Sequence, residues 1–173
     1  MKPENEETIY DGPRFSAHRA TFPGDRTREW VDAPDSVAIV PYDDEHVYLV
    51  RQPREAVRRD DVLEVPAGVM DVDGEDPPET ARRELVEEIG MEAGTLTYAT
   101  TFYTSIGFVD EVVHVFLATD LKKVGEPDES GEEQIDLVPW PLADLDGLIR
   151  QNEDAKTLVG LLWLARERTA TGG

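Results

Sequence analysis

The 173-residue sequence contains no cysteine, which excludes disulfide bridges, a thiolate metal site and a cysteine nucleophile. Lysine is scarce. It occurs only as Lys2, Lys122, Lys123 and Lys156, and arginine supplies the rest of 17 basic residues set against 38 acidic ones. The formal charge of -21 and pI near 4.3 argue against a basic face for nucleic acid or an acidic membrane, so neither is expected as a partner. No apolar run reaches the roughly 20 residues that cross a bilayer, and the polar opening MKPENEE does not read as a signal peptide. A cytoplasmic location is the default expectation. Nor is there an internal repeat or a shift in composition that would mark a second domain. A chain of this length buries about two thirds of its unfolded surface as one unit.

What is present is concentrated in Gly74–Met91, GEDPPETARRELVEEIGM. Asp76 is placed to cap a helix, Pro77 suits its first turn, Glu79 closes a capping box, and Gly90 supplies the stop. At about 100° per residue, Ala81, Leu85, Val86 and Ile89 form an apolar stripe. Glu84, Glu87 and Glu88 share the adjacent polar arc, with Arg83 at its border. Like charges at these spacings repel, and the second half of a helix disfavours anions. A hard divalent cation reverses both penalties, since Mg²⁺ prefers carboxylate and water oxygens. The plain alternative is a solvated acidic face on an acidic protein, and the carboxylates alone do not decide between the two.

The longer pattern does favour one reading. Glu75, seven residues, then Arg83-Glu84-Leu85-Val86-Glu87-Glu88-Ile89-Gly90-Met91 resembles the signature of the Nudix hydrolases. One departure lies upstream: six residues rather than five separate Gly68 from Glu75, so the loop Val69–Gly74 carries an extra residue. Before it, Glu64-Val65-Pro66-Ala67-Gly68 resembles the E-x-P-A-G of the family's ADP-ribose pyrophosphatase branch. The resemblance implies Mg²⁺, with Mn²⁺ as the alternative ion, held by Glu84 and Glu88 with Glu87 assisting. Arg83 would orient these glutamates, and Glu75 would be a further partner or ligand. A carbonyl of Ala67 or Gly68 is a further candidate ligand, because glycine lets the backbone approach a cation closely. Glu64 is open to a supporting role or a buried structural one.

Elsewhere the resemblance nominates substrate contacts. Arg51-Gln52-Pro53-Arg54 matches a segment that offers guanidinium groups to the diphosphate, with Arg54 preferred over Arg51. Residues 10–34 resemble the branch's N-terminal β-arm, which commonly pairs two subunits. On that basis Arg19, Arg28 and Trp30 are candidates for the adenine end across a homodimer, with core or dimer packing the equal alternative for Trp30. Tyr103–Glu111 resembles the S-P-G…D-E stretch, with Ile106 in place of proline, and nominates Glu111 for the distal ribose. In the polar loop Asp120–Gln134 the family places a mobile catalytic glutamate. Glu133 fits best, with Glu132 and Glu129 as alternates and a solvated acidic loop as the competing reading.

The expectation is therefore an α/β chain folded as a Nudix-type α/β/α sandwich with a mixed sheet and an N-terminal β-arm. Residues 1–9 are expected to be flexible, 10–168 to form a single domain and 169–173 to fray. Strands are expected at Ser36–Pro41 and His46–Arg51, joined as a hairpin through Asp43-Asp44-Glu45, and at Leu96–Phe102, Glu111–Ala118 and Ile135–Trp140. A closing helix over Asp154–Arg168 would bury Leu158, Leu161, Leu162 and Ala165. The implied activity is hydrolysis of a small nucleoside diphosphate linked to another moiety, with ADP-ribose giving AMP and ribose 5-phosphate. Another nucleotide sugar or a dinucleoside polyphosphate is the alternative substrate. A non-cleaving sensor is the alternative class, but such modules usually lose carboxylates that are all present here. The lysine-poor acidic composition also resembles proteins of salt-accumulating halophiles, in which salt screens self-repulsion. A merely acidic mesophilic protein is the other reading.

Overall fold

The computed structural model describes residues 2–127 and 135–171. Its centre is Ser36–Pro41, SVAIVP, a strand in which every residue is buried. A short run this apolar has no outward face, which suits a strand covered on both sides. Counting strands from the N-terminus, this is β4, flanked by β7 (Ala67–Val69) and β9 (Val112–Lys123), with β8 (Met91–Tyr103) beyond β9. β4 runs parallel to β9, and the β4–β7 and β8–β9 pairs are antiparallel, so the sheet is mixed.

Alternate β4 side chains serve two cores. Val37 and Ile39 pack with Ala81, Leu85 and Ile89 of helix α1 (Pro77–Ile89). Ala38 and Val40 pack with Leu148 of α2 (Leu145–Gln151) and with Leu161 and Leu164 of α3 (Ala155–Thr171). Each fully buried Leu or Ile contributes about 1.5–3 kcal/mol over leaving it exposed, enough to hold α1 against the sheet. This is the expected α/β/α arrangement.

Two antiparallel sheets complete the chain. β5 (His46–Arg54) lies between β10 (Asp136–Pro141) and β6 (Arg59–Glu64). At the N-terminus, β1 (Asn5–Asp11), β2 (Ser16–Phe22) and β3 (Arg26–Asp32) form the arm. The Val31 N–H donates to the Phe108 carbonyl at 2.7 Å, and the Asp110 N–H donates back to Val31 at 3.2 Å, tying arm to body.

Several expectations are corrected. Residues 1–9 are not all loose, because Asn5 begins a strand whose ladder partner is Thr21. The last helix does not end at Arg168 but runs to Thr171. β4 and β5 do not form a hairpin ladder. Past a single bridge at Tyr42 and Val47 they diverge into different sheets, because β4 takes β9 and β7 as its neighbours. Val86 and Leu162, placed on apolar stripes by spacing, are exposed, and Leu164 is buried in the last helix.

Candidate active site

Helix α1 starts as its sequence dictates. The Asp76 carboxylate accepts from the Glu79 N–H at 3.0 Å, and Glu79 accepts in return from the Asp76 N–H at 3.2 Å. It ends at Gly90 with φ 64°, a left-handed conformation that glycine adopts without strain. The Gly90 carbonyl then accepts from the Val124 and Gly125 N–H groups at 2.9 and 3.2 Å.

These ends orient the glutamates, and packing divides them. Glu84 and Glu88 are buried at 8% and 7% exposure, whereas Glu87 faces outward. A helical projection puts all three on one polar arc. The pair at i and i+4 nonetheless sits at the margin of the face that packs on the sheet, and the strand β7 closes over it. Glu88 accepts from the Ala67 N–H at 3.0 Å. The Glu84 carboxylate occupies the space above Gly68: a Cβ built there would lie 1.9 Å from the Glu84 carboxyl carbon. Any side chain at this position would displace the Glu84 carboxylate. The nominated residues Ala67 and Gly68 thus lie directly against the two buried glutamates.

Arg83 binds this group together. It donates from Nη1 to Glu84 at 2.6 Å and to Glu87 at 3.0 Å. Its Nε donates to both oxygens of Glu75 at 3.2 and 3.3 Å, and Nη2 reaches the Val69 carbonyl at 3.4 Å. Asp71 lies 3.6 Å from Nη2. Thr80 donates to Glu75 at 3.0 Å, fixing that carboxylate from behind. The titration behaviour follows from these contacts. Burial pushes the Glu84 carboxyl up, with Glu87 and Asp71 adding repulsion and Arg83 offsetting part of it. Hydrogen bonding to Arg83 holds Glu75 below the usual carboxylate range. For Arg83, partial burial opposes the charge but the surrounding carboxylates outweigh it and raise its pKa.

Among the described residues, no three carboxylate or imidazole groups form a ready-made metal cage. The reason is visible in the contacts, since Arg83 draws Glu84 and Glu87 while Glu88 turns to the Ala67 N–H. The donor set still suits a hard cation. Two buried carboxylates and the backbone of residues 67–68 line one cradle, kept open by the absence of a side chain at Gly68.

The other nominated residues divide by location. Glu111 accepts from the buried Ser36 hydroxyl at 2.7 Å, and Ser36 pairs with Val69, so Glu111 sits at the signature-loop end of the sheet. Arg54 is engaged elsewhere. It forms a two-pronged pair with the buried Glu64 at 2.7 and 3.0 Å. Beside that pair opens a cavity of about 380 Å³, bordered also by Arg59, Asp154 and Lys156; no α1 glutamate is among its described lining residues. Arg51 is exposed on β5, opposite Asp136 and Leu63. In the arm, Trp30 stacks on His18 with centroids 5.4 Å apart, Arg28 donates to the Thr27 carbonyl, and Arg19 pairs with Glu29 and Glu7. Glu133, Glu132 and Glu129 lie outside the described residues.

Sequence reasoning missed Asp71, Thr80, Ser36 and the Val69 carbonyl as members of this network. Only Asp71 carried a usable signal, because it lies in the loop that is one residue longer than the family pattern.

The chain is similar to several known proteins. A model of the NUDIX domain matches residues 32–159. The ADP-ribose pyrophosphatase of Bacillus subtilis (strain 168) is 41% identical over 141 residues, covering 79% of this chain and 75% of that protein. The ADP-ribose pyrophosphatase of Mycobacterium tuberculosis is 37% identical over 174 residues, covering 97% and 84%. A GDP-mannose pyrophosphatase of Citrobacter koseri is 30% identical over 148 residues, covering 79% and 76%. Among solved structures, an ADP compounds hydrolase superposes with a TM-score of 0.85 at 24% identity, covering 99% of this chain and 95% of that one, which speaks to the fold. With the domain model spanning most of its length and relatives of this identity along it, the chain belongs to the Nudix family and is one of its hydrolases.

Proposed function

We propose that this hydrolase cleaves the diphosphate of a nucleoside diphosphate linked to a second moiety, and that ADP-ribose is its substrate, giving AMP and ribose 5-phosphate. The observation that carries the reading is the cradle at Gly68, where two buried glutamates of one helix meet a backbone with no side chain in the way. The two relatives named as ADP-ribose pyrophosphatases support the substrate.

A divalent cation, Mg²⁺ or Mn²⁺, would be held by Glu84 and Glu88 with Glu87 at its outer side and a carbonyl of residue 67 or 68 completing the protein's share. When bound, such an ion neutralises phosphate oxygens and lowers the pKa of a coordinated water. The chain's own residues do the rest. Burial of Glu84 and Glu88 fixes their direction, and Gly68 leaves room for Glu84 to hold its position. Before a cation is bound, Arg83 ties Glu75, Glu84 and Glu87 together. Glu111, which accepts from Ser36, is proposed to meet a substrate hydroxyl, and Arg51 and Arg54 to supply positive charge beside β6. Glu133 is the proposed base. Trp30 and Arg28 are proposed to meet the adenine end across a homodimer built on the arm, with sedimentation of an arm-deleted chain as the check.

The decisive assay is AMP release from ADP-ribose with and without Mg²⁺, beside Glu88→Gln, in low and molar KCl. Release that needs both Mg²⁺ and Glu88 is the expected outcome, and higher release in molar KCl would support a halophilic, cytoplasmic enzyme. A folded protein giving no AMP would sink ADP-ribose as substrate. GDP-mannose would then be tried first, because relatives of that activity match at 30% identity. Retained binding without cleavage across a nucleotide-sugar panel would favour a sensor.

A further inference from the structure

Arg83 faces more negative charge than one guanidinium can satisfy. Four carboxylates surround it, from Asp71, Glu75, Glu84 and Glu87, at distances from 2.6 to 3.6 Å. Two of these are proposed to serve a divalent cation, and two are not. The second pair lies on the side of the signature loop: Glu75 is anchored by Thr80, and Asp71 stands exposed in the lengthened loop. Arg83 Nη1 is shared between Glu84 and Glu87, while Nε and Nη2 face Glu75 and Asp71. The guanidinium thus bridges the two pairs, with one edge on each.

We propose that Arg83 is a displaceable counter-cation: it neutralises Glu84 and Glu87 in the metal-free protein and passes to Glu75 and Asp71 when those glutamates turn to a divalent ion. The inference rests on the metal reading above and adds an exchange to it. Glu84 is buried, Glu87 shares the same Arg83 nitrogen with it, and two like charges this close destabilise a fold unless a cation stands between them. An arginine that remained on Glu84 would compete with any incoming ion. Glu75 and Asp71 give it a second place of similar charge, so it leaves without being stranded. Asp71 thereby becomes a positioning residue that the family pattern does not include.

This exchange has a sign that an ordinary supporting arginine lacks. Removing a support weakens ion binding, whereas removing a competitor tightens it. The test measures the thermal midpoint of the full chain without substrate, across Mg²⁺ and Mn²⁺ concentrations, for wild type, Arg83→Gln, Asp71→Asn and the double variant. Arg83→Gln should lower the metal-free midpoint and yet half-saturate at about three- to tenfold lower ion concentration. Asp71→Asn, at an exposed position, should leave the metal-free midpoint nearly unchanged and require about threefold more ion. In the Arg83→Gln background that second effect should vanish, because there is no arginine left to receive.

If Asp71→Asn weakens ion binding equally in both backgrounds, Asp71 is a ligand and the exchange is wrong. Weaker binding in Arg83→Gln overturns it as well. Should Arg83→Gln fail to fold, Arg83→Lys replaces it: a lysine cannot span both pairs, so the Asp71→Asn effect should shrink in that background, and an undiminished effect rejects the proposal. Absence of any ion-dependent shift in the wild type would overturn the metal reading itself, a result distinct from each of these.

Discussion

Two arginines in this protein face carboxylates in opposite ways. Arg54 grips Glu64 through two parallel hydrogen bonds, and Glu64 is almost wholly buried. Arg83 is divided among four partners, none of which it satisfies alone. A bidentate pair on a buried carboxylate is closed: the fork meets its complement, and removing the arginine strands the buried acid. A cation shared over an excess of carboxylates is open, because rearranging its contacts costs little. The first is suited to holding β5 on β6. The second is suited to the exchange of partners proposed for it.

The largest effect is expected where the open cluster meets its cradle. Gly68→Ala would force the Glu84 carboxylate from its place, and turnover should fall about 100-fold, as when the groups that orient metal ligands are lost. Steady-state kinetics with a circular dichroism control would check this, and a drop below threefold would mean that Glu84 does not act from this position. Next, Arg54→Ala should cost about 2–3 kcal/mol of stability by leaving Glu64 buried and unpaired, seen as a lower urea midpoint. A loss of only a few tenths would make the closed pair no different from a surface pair.

Acidity provides a smaller and more diagnostic contrast within the Arg83 cluster. The folded-state pKa of Glu75 is depressed, so its contribution is present above the unfolded pKa and is lost as pH falls through the folded value. For Glu84 the folded-state pKa is raised, so its ionised form costs stability at neutral pH and the cost is relieved as pH falls. In Arg83→Gln the repulsion among the carboxylates is unscreened near pH 7 and disappears as they protonate. The gap in melting temperature between wild type and Arg83→Gln should therefore narrow between about pH 7 and pH 4. A gap that widens on acidification would exclude charge as its cause.

Smallest of all should be Val86→Ala and Leu162→Ala. Both lie on apolar stripes by spacing and are exposed, so each should change stability by no more than about 0.5 kcal/mol. Leu85→Ala, on the same helix but fully buried, should cost about 2–5 kcal/mol.

Much of the helix was legible in the chain itself. The Asp76–Glu79 capping box, the stop at Gly90 and the Ala81–Leu85–Ile89 stripe are local devices, each complete within a few residues. The fully apolar SVAIVP run was readable as a strand for the same reason, although not which strands it would join. β4 abandons β5 for β9, more than 70 residues onward, and that choice depends on which faces α1 and α3 cover.

The candidate site divides along the same line. Spacing put Glu84, Glu87, Glu88 and Arg83 together on one helix, and the likeness of the longer pattern to the Nudix signature nominated them as a site. That Glu84 and Glu88 are buried while Glu87 is not, that Gly68 makes room for Glu84, and that Asp71 stands within reach of Arg83 came from β7 folding back onto α1. The same tertiary packing turned Arg54 toward Glu64. Periodicity assigns a side chain to a face of its own element, but burial and charge pairing depend on the second element that comes to lie against that face, and that neighbour is supplied by distant parts of the chain.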